Sequence, residues 1–272
     1  MIHPFVALLR RYVFDYTNSH DLAVCDEIMH PDYRVHISGL TLERDKTYKG
    51  AVAGVFAEYP GLTIQAYEIV TNGEMLAMSF TEHGASVRHE NRCAAWRGIG
   101  IYQWDGRQLI RNFVEQDFFS RRQQLQTGRA APIESPPHDP WLGATAGDPA
   151  PANEEVVRSW LASGDVRGSG VVIDGLRLNE MPPSPLAIES TRISAIFSAR
   201  DKVAFHVVQS GRYLGGLFED DSLVIGCECE LCVAGIVTVA AGSVAQATLV
   251  TDREGTRASL VKFARCHALS QR

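Results

Sequence analysis

Positive charge, cysteine and long apolar runs are all in short supply in this 272-residue chain. Lysine and arginine number 26 against 32 aspartates and glutamates, a net charge of −6, and no basic block interleaves with aromatic residues. No nucleic acid partner is expected of such a chain. The longest nearly apolar run, Leu231 to Gly242, falls well short of the roughly 20 residues of a bilayer-spanning helix, so no membrane partner is expected either. Phe5 to Leu9 is too short for a secretory signal core, and Arg10 and Arg11 follow it instead of preceding it; a cytoplasmic location is the expectation. The six cysteines (Cys25, Cys93, Cys227, Cys229, Cys232, Cys266) lack a secretory context, which favours reduced thiols over a disulfide framework. A Gly-rich phosphate loop, a serine elbow and a His-Glu-x-x-His motif are missing, leaving nucleotide binding, serine hydrolysis and zinc proteolysis without support.

What remains is globular material, 45% hydrophobic and 21% charged, enough for one large or two modest domains. Six of the twelve prolines fall between Gln126 and Ala152, with Gly128, Gly143 and Gly147 and no periodicity. This stretch reads as a linker over 128–152, docked at Trp141, between domains 1–127 and 153–272.

In the first segment Phe5, Leu8, Leu9, Tyr12, Val13 and Tyr16 follow helical spacing behind Pro4. A short second helix carries Leu22, Cys25, Ile28 and Met29, a strand follows through Tyr33, Val35 and Ile37, and a third helix spans Lys49 to Glu58. From there the period is two. Leu62 to Val70 and Met75 to Ser86 flank Asn72-Gly73, and Arg92 to Trp104 and Arg107 to Asp117 flank Asp105-Gly106, two hairpin signals. Helices first and a meander afterwards predict an α+β domain with a curved sheet wrapped around the helices. The second segment reads as a truncated repeat: a helix over Glu154 to Leu161, then hairpins over 188–213 and 231–251, with Met181-Pro182-Pro183-Ser184-Pro185 where a third helix is needed.

Residues 4 to 125 resemble the SnoaL-like polyketide cyclases of the nuclear-transport-factor-2-like superfamily, in element order and in the stretch from Trp104-Asp105-Gly106-Arg107 through Phe113 and Asp117 to Gln124-Leu125. The resemblance implies two cone-shaped α+β domains, each a curved antiparallel or mixed sheet around helices, the second degenerate. It also implies a pocket inside the cone and a cofactor-free, intramolecular aldol closure in which an aspartate on the last strand is the general base; Asp117 matches that position.

If Asp105-Gly106 is a two-residue turn, Trp104 pairs with Arg107, so Trp96, Phe113 and Asp117 share a face and Arg97 takes the other unless a bulge intervenes. A carboxyl among aromatics is partly desolvated and a better base. The count from Asn72-Gly73 puts Ala77, Ser79, Thr81 and His83 on one face, small and polar as a cavity lining would be. His83 resembles a histidine of some cyclases and is the expected acid, donating to an enolate oxygen. Tyr16, Tyr33, His36, Trp96, Phe113 and Arg97 are the candidate substrate contacts. Each residue also has a plain structural reading: Asp117 as a helix cap, His83 as a satisfied strand histidine, Tyr16 as core, Trp96 as core packing.

Cys227-x-Cys229-x-x-Cys232, with Cys266-His267 and His206, is the only metal-like pattern, but strand parity separates Cys232 from Cys227 and Cys229, so no metal is expected. The expected function is a cofactor-independent cyclase or isomerase acting on a small hydrophobic carbonyl compound. An epoxide hydrolase with two carboxylates and an arginine, and a non-catalytic binding module, stay open as alternatives. Aligning Gly106 with Gly242 puts Arg253 at the place of Asp117, and aligning Met75 with Val203 puts Gly211 at the place of His83, so the second domain is expected to be silent. Its expected role is to cover the apolar outer face of the first sheet as an intramolecular pseudo-dimer, with the choice between monomer and further dimer left open.

Overall fold

In the computed structural model, which describes residues 2–270 apart from 137 and 165 and leaves out the side chains of 266–270, two six-stranded sheets share one plan. Helix α1 (Pro4–Arg11) starts behind a His3 cap with proline in its first turn and runs on as a π-helical stretch, Tyr12–Thr17. The chain continues through α2 (Val24–Ile28), β1 (Met29–Ile37), β2 (Leu40–Glu43) and α3 (Lys49–Glu58). The meander β3 (Thr63–Thr71), β4 (Met75–Ser86), β5 (Arg92–Trp104), β6 (Leu109–Gln116) and helix α4 (Phe118–Thr127) follow.

The second unit has α5 (Pro151–Ala162), β7 (Val171–Ile173), β8 (Leu176–Arg177), β9 (Leu186–Ala199), β10 (Lys202–Tyr213), β11 (Glu228–Ala240), β12 (Ser243–Thr251) and α6 (Arg253–Ser270). The sheet orders are β2-β1-β6-β5-β4-β3 and β8-β7-β12-β11-β10-β9, mixed because β1 runs parallel to β6 and β7 parallel to β12. The second unit has one helix before its sheet, and residues 178–185 contain none.

The concave face of the first sheet closes over α1, α2 and α3 in one core and that of the second over α5 in another. Between them lies a third cluster: Val70, Ala77, Ile99 and Ile101 of the first sheet against Phe197, Ala204, Ala234, Ile236 and Val250 of the second. The two sheets therefore meet back to back, burying the apolar outer faces that a solvated sheet would carry as polar. The stretch joining the units runs over the surface and sinks at Pro140, Trp141, Ala144 and Gly147, with the Trp141 ring, 7% exposed, tilted against Phe14.

One loop decides which residues face the cone. Asp105 turns its Oδ1 back to accept from the N–H groups of both Arg107 and Gln108, each at 2.8 Å. Arg107 is thereby held in the turn, and Trp104 pairs with Leu109 instead. Past a bulge the register settles at Gln103 with Arg111 and Gly98 with Gln116. Even residues of β5 therefore share a face with even residues of β6, the reverse of what a two-residue turn gives. Trp96, Gly98 and Tyr102 look inward together with Asn112, Val114 and Gln116; Phe113 and Glu115 look outward. Gly98 is glycine for want of space, because a Cβ there would stand 2.3 Å from Cζ of Phe80.

Candidate functional site

The first cone encloses a cavity of about 170 Å³ walled by Tyr12, Tyr16, Tyr48, Phe56, Phe80 and Tyr102 along with aliphatic side chains. Its polar members are Glu82, Asn112, Gln116, Arg121 and Thr17. On β4 the bulky residues Leu76, Met78 and Phe80 alternate inward, and Glu82 is the next inward position of the same row, opposite Trp96. Its residue is only 9% exposed.

Three side chains hold that carboxyl. Trp96 Nε1 donates to Gln116 Oε1 at 2.7 Å, which orients the amide so that its Nε2 donates to Glu82 Oε1 at 3.4 Å. Arg121 lies over the rings of Phe118, Trp96 and Tyr59 at 4.2, 5.0 and 5.8 Å, a cation held by aromatic faces. Burial pushes the Glu82 carboxyl up to about 7, against the smaller opposing effects of the Arg121 charge and the amide hydrogen bond. Tyr16 donates its hydroxyl to Tyr48 Oη at 3.0 Å, and Tyr12 and Tyr48 share a proton contact at 3.3 Å. Burial raises the pKa of each of these phenols, so they stay protonated donors. Asn112 Oδ1 in the wall and the Tyr33 hydroxyl behind it are buried without a hydrogen-bond partner, the state of groups that a ligand or water completes.

Of the residues singled out from the sequence, Tyr16 lines the cavity, Tyr33 packs edge-on against Tyr48, and Trp96 stands behind Gln116. Asp117 does not belong to the wall. The strand ends at Gln116, and Asp117 Oδ1 accepts from Ser120 N at 3.0 Å as the N-cap of α4. The same oxygen accepts from Arg253 Nη2 of the second unit at 2.8 Å.

His83 is on the outward row of β4 with Ala77, Ser79 and Thr81, because bulk and not polarity sets the inward row. His36 and Phe113 stack at 4.6 Å on the outer face, with His206 5.4 Å from Phe113, and Arg97 pairs there with Glu134 at 3.5 Å. The flipped register of β6 explains Phe113, and Arg97 keeps the outward side that its odd number gives it. Glu82, Gln116, Asn112 and Arg121 were not anticipated; the signal for Glu82 is a lone acid on a strand row of bulky apolar residues.

The second cone holds a smaller cavity, about 90 Å³, whose wall includes Gln209, Asp174, Thr251 and Arg253. Asp117 N donates to Arg97 O and Asp252 N donates to Cys232 O, both at 2.9 Å, and each aspartate precedes a helix. Asp252 is thus the counterpart of Asp117, not Arg253. Gly106 and Gly242 are not equivalent, because the loop over 105–108 and the tight turn between Ala240 and Ser243 differ. By the same register Glu82, opposite Trp96, corresponds to Gln209, opposite Leu231, and His83 to Ser210 and not Gly211. Cys227 and Cys229 belong to the core of the second cone, Cys232 to the seam between the sheets, and the side chains of Cys266 and His267 lie outside the described residues.

Residues 9–112 match the family model of the SnoaL-like domain. Among solved structures, IdmH from Streptomyces antibioticus, a candidate polyketide cyclase, is similar to 46% of this chain over 99% of its own, with 19% identity and a TM-score of 0.41. A candidate polyketide cyclase from Acidithiobacillus ferrooxidans is similar to 45% of this chain over 94% of its own, with 18% identity and a TM-score of 0.40. AclR from Streptomyces galilaeus, a candidate hydroxylase, is similar to 44% of this chain over 94% of its own, with 13% identity and a TM-score of 0.40. No curated protein matches the chain.

Proposed function

We propose that this chain, whose residues 9–112 match the SnoaL-like domain, is a cofactor-independent cyclase or isomerase of a small hydrophobic carbonyl compound, with Glu82 as the base. The observation that carries this reading is a buried carboxyl, raised to about 7, facing an aromatic cavity with its hydrogen-bond partner pre-aimed. A general base works best when its pKa lies near the operating pH.

The Glu82 carboxylate takes a proton from a carbon next to the carbonyl, and the C–H electron pair becomes the enolate. The Arg121 cation and the protonated tyrosine hydroxyls face the space where that oxyanion develops, in a cavity walled mainly by aromatic and aliphatic side chains. The enolate carbon then bonds to a second carbonyl of the same molecule, and protonated Glu82 returns its proton to the new alkoxide. In the second cone an amide, Gln209, stands in the place of Glu82 and cannot take a proton, which favours one working cone. Epoxide opening by two carboxylates has less support, since Glu82 is the sole Asp or Glu among the described residues of the first cavity's wall.

Proton abstraction is testable without the natural substrate, by following α-hydrogen exchange of hydrophobic β-diketones in deuterated water. The exchange rate is expected to rise with pH through about 7, because only the ionised form of Glu82 accepts a proton. Binding of the diketone with no catalysed exchange at any pH would overturn the reading and leave the cone a binding module.

A further inference from the structure

The two ends of the seam between the sheets are related by the repeat but are not equally furnished. At one end Asp117, the cap of α4, and Asp174, in the β7–β8 turn, are bridged by Arg253, the first residue of α6, at 2.8 and 3.1 Å. At the other end the counterparts are Asp252, Ser38 in the β1–β2 turn, and Phe118, the first residue of α4. No described Lys or Arg forms an ion pair with Asp252 or Glu115 there.

Instead, three buried side chains from three strands converge: Glu115 of β6, His206 of β10 and Cys232 of β11, whose donor atoms all lie within 4.8 Å of one another. Glu115 Oε1 is 2.9 Å from His206 Nε2, and its second oxygen, Oε2, accepts from the Ser38 backbone N–H at 3.3 Å. That second contact fixes the carboxyl plane, as partners of ligands do in metal sites. His206 Nδ1 and Ser38 Oγ are buried without a hydrogen-bond partner. Cys232 and Asp252 also line a polar cavity of about 660 Å³, which gives the cluster an entry path and room for a water.

We propose that Glu115, His206 and Cys232 bind one divalent cation of the zinc type, which staples the two units together at the end of the seam that has no arginine bridge between its acids. One thiolate, one imidazole and one carboxylate make a borderline-soft donor set suited to zinc, with a fourth tetrahedral position left for water beside Asp252. Tetrahedral bonds of roughly 2.0–2.3 Å put ligand atoms roughly 3.3–3.8 Å apart, within small side-chain rotations of the cluster seen here. Binding replaces the thiol proton and the carboxyl proton with the ion, so protons are released and affinity falls with acid. The site is outside both cone cavities and takes no part in the proton transfer assigned to Glu82. The parity that separates Cys232 from Cys227 and Cys229 is what brings it to Glu115 and His206.

The test uses the full chain, stripped with a chelator and titrated with cobalt(II) as a coloured stand-in for zinc. The expected result is one equivalent bound tighter than micromolar, with tetrahedral visible bands and a thiolate-to-metal charge-transfer band. That band should be lost in Cys232→Ser and kept in Cys229→Ser, and zinc should raise the melting temperature of the wild type but not of Cys232→Ser. No stoichiometric binding by the wild type would overturn the proposal and leave the trio a neutral hydrogen-bonded cluster. So would a charge-transfer band that survives Cys232→Ser. Glu115→Gln, which keeps the shape of the side chain, should bind cobalt more weakly with the thiolate band still present, and an unchanged affinity contradicts the assigned ligand.

Discussion

Glu82→Gln is expected to slow catalysed α-hydrogen exchange by about 10²–10⁴-fold, the usual cost of losing a positioned base, while making the folded protein more stable above pH 7. The two effects have one cause. The native carboxyl is pushed up to about 7 by burial, whereas an unfolded glutamate titrates near 4.3, so the folded state favours the protonated form. The stability contributed by that form is complete below about pH 4.3 and is lost as the pH rises through about 7. An amide cannot ionise, so Glu82→Gln escapes the loss and should be more stable by on the order of 3 kcal/mol at pH 8, with no difference at pH 4. The amide oxygen introduced by that substitution can still accept from Gln116. Chemical denaturation at the two pH values checks the sign, and exchange kinetics check the loss. Asp117→Asn is the comparison, because a capping residue outside the cavity should cost stability and leave exchange within a few fold.

Arg253→Ala should destabilise the chain by about 3–5 kcal/mol, the range for removing one partner from a buried ion pair. Its side chain is 14% exposed and those of Asp117 and Asp174 are 3% and 4%, so solvent screens the group only slightly. Nη2 donates to Asp117 Oδ1, while Nε lies near Asp174 Oδ2 off the angle of a hydrogen bond. Burial, and then the negative charge of Asp117, raise the Asp174 pKa. Without the guanidinium two acids share a dry seam, and the triple variant with Asp117→Asn and Asp174→Asn should recover part of the loss. A loss below about 1 kcal/mol, the scale of a surface pair, would show that the bridge contributes little to joining the units.

The sheets were legible in the sequence because a period of two and turn dipeptides are local signals. Both hairpins of each unit and the proline-rich join follow from them. The short strands β2, β7 and β8 have too few residues to show a period, and α6 follows the last strand without a break in composition that marks it. The site was less legible, for reasons that are also physical. Parity across β5 and β6 hangs on the Asp105 side chain, which holds Arg107 in the loop and flips the face of every later residue. Choosing the polar row of β4 as the lining put His83 inside and Glu82 outside, whereas the apolar bulk of Leu76, Met78 and Phe80 turns that row to the core and carries Glu82 with it. The pairing of Glu115 with His206 spans 91 residues and two sheets, and no local pattern encodes it.

The ionisation of Glu82 itself is the most direct measurement. Carbon-13 NMR of glutamate-labelled protein, with the resonance assigned by its absence in Glu82→Gln and so distinguished from Glu115, which burial also raises, to about 8, should give a carboxyl midpoint near 7. Occupancy of the cone by a hydrophobic β-diketone should displace that midpoint. A Glu82 carboxyl that titrates near the ordinary 4.3, and is unmoved when the diketone binds, would contradict a buried base facing this cavity.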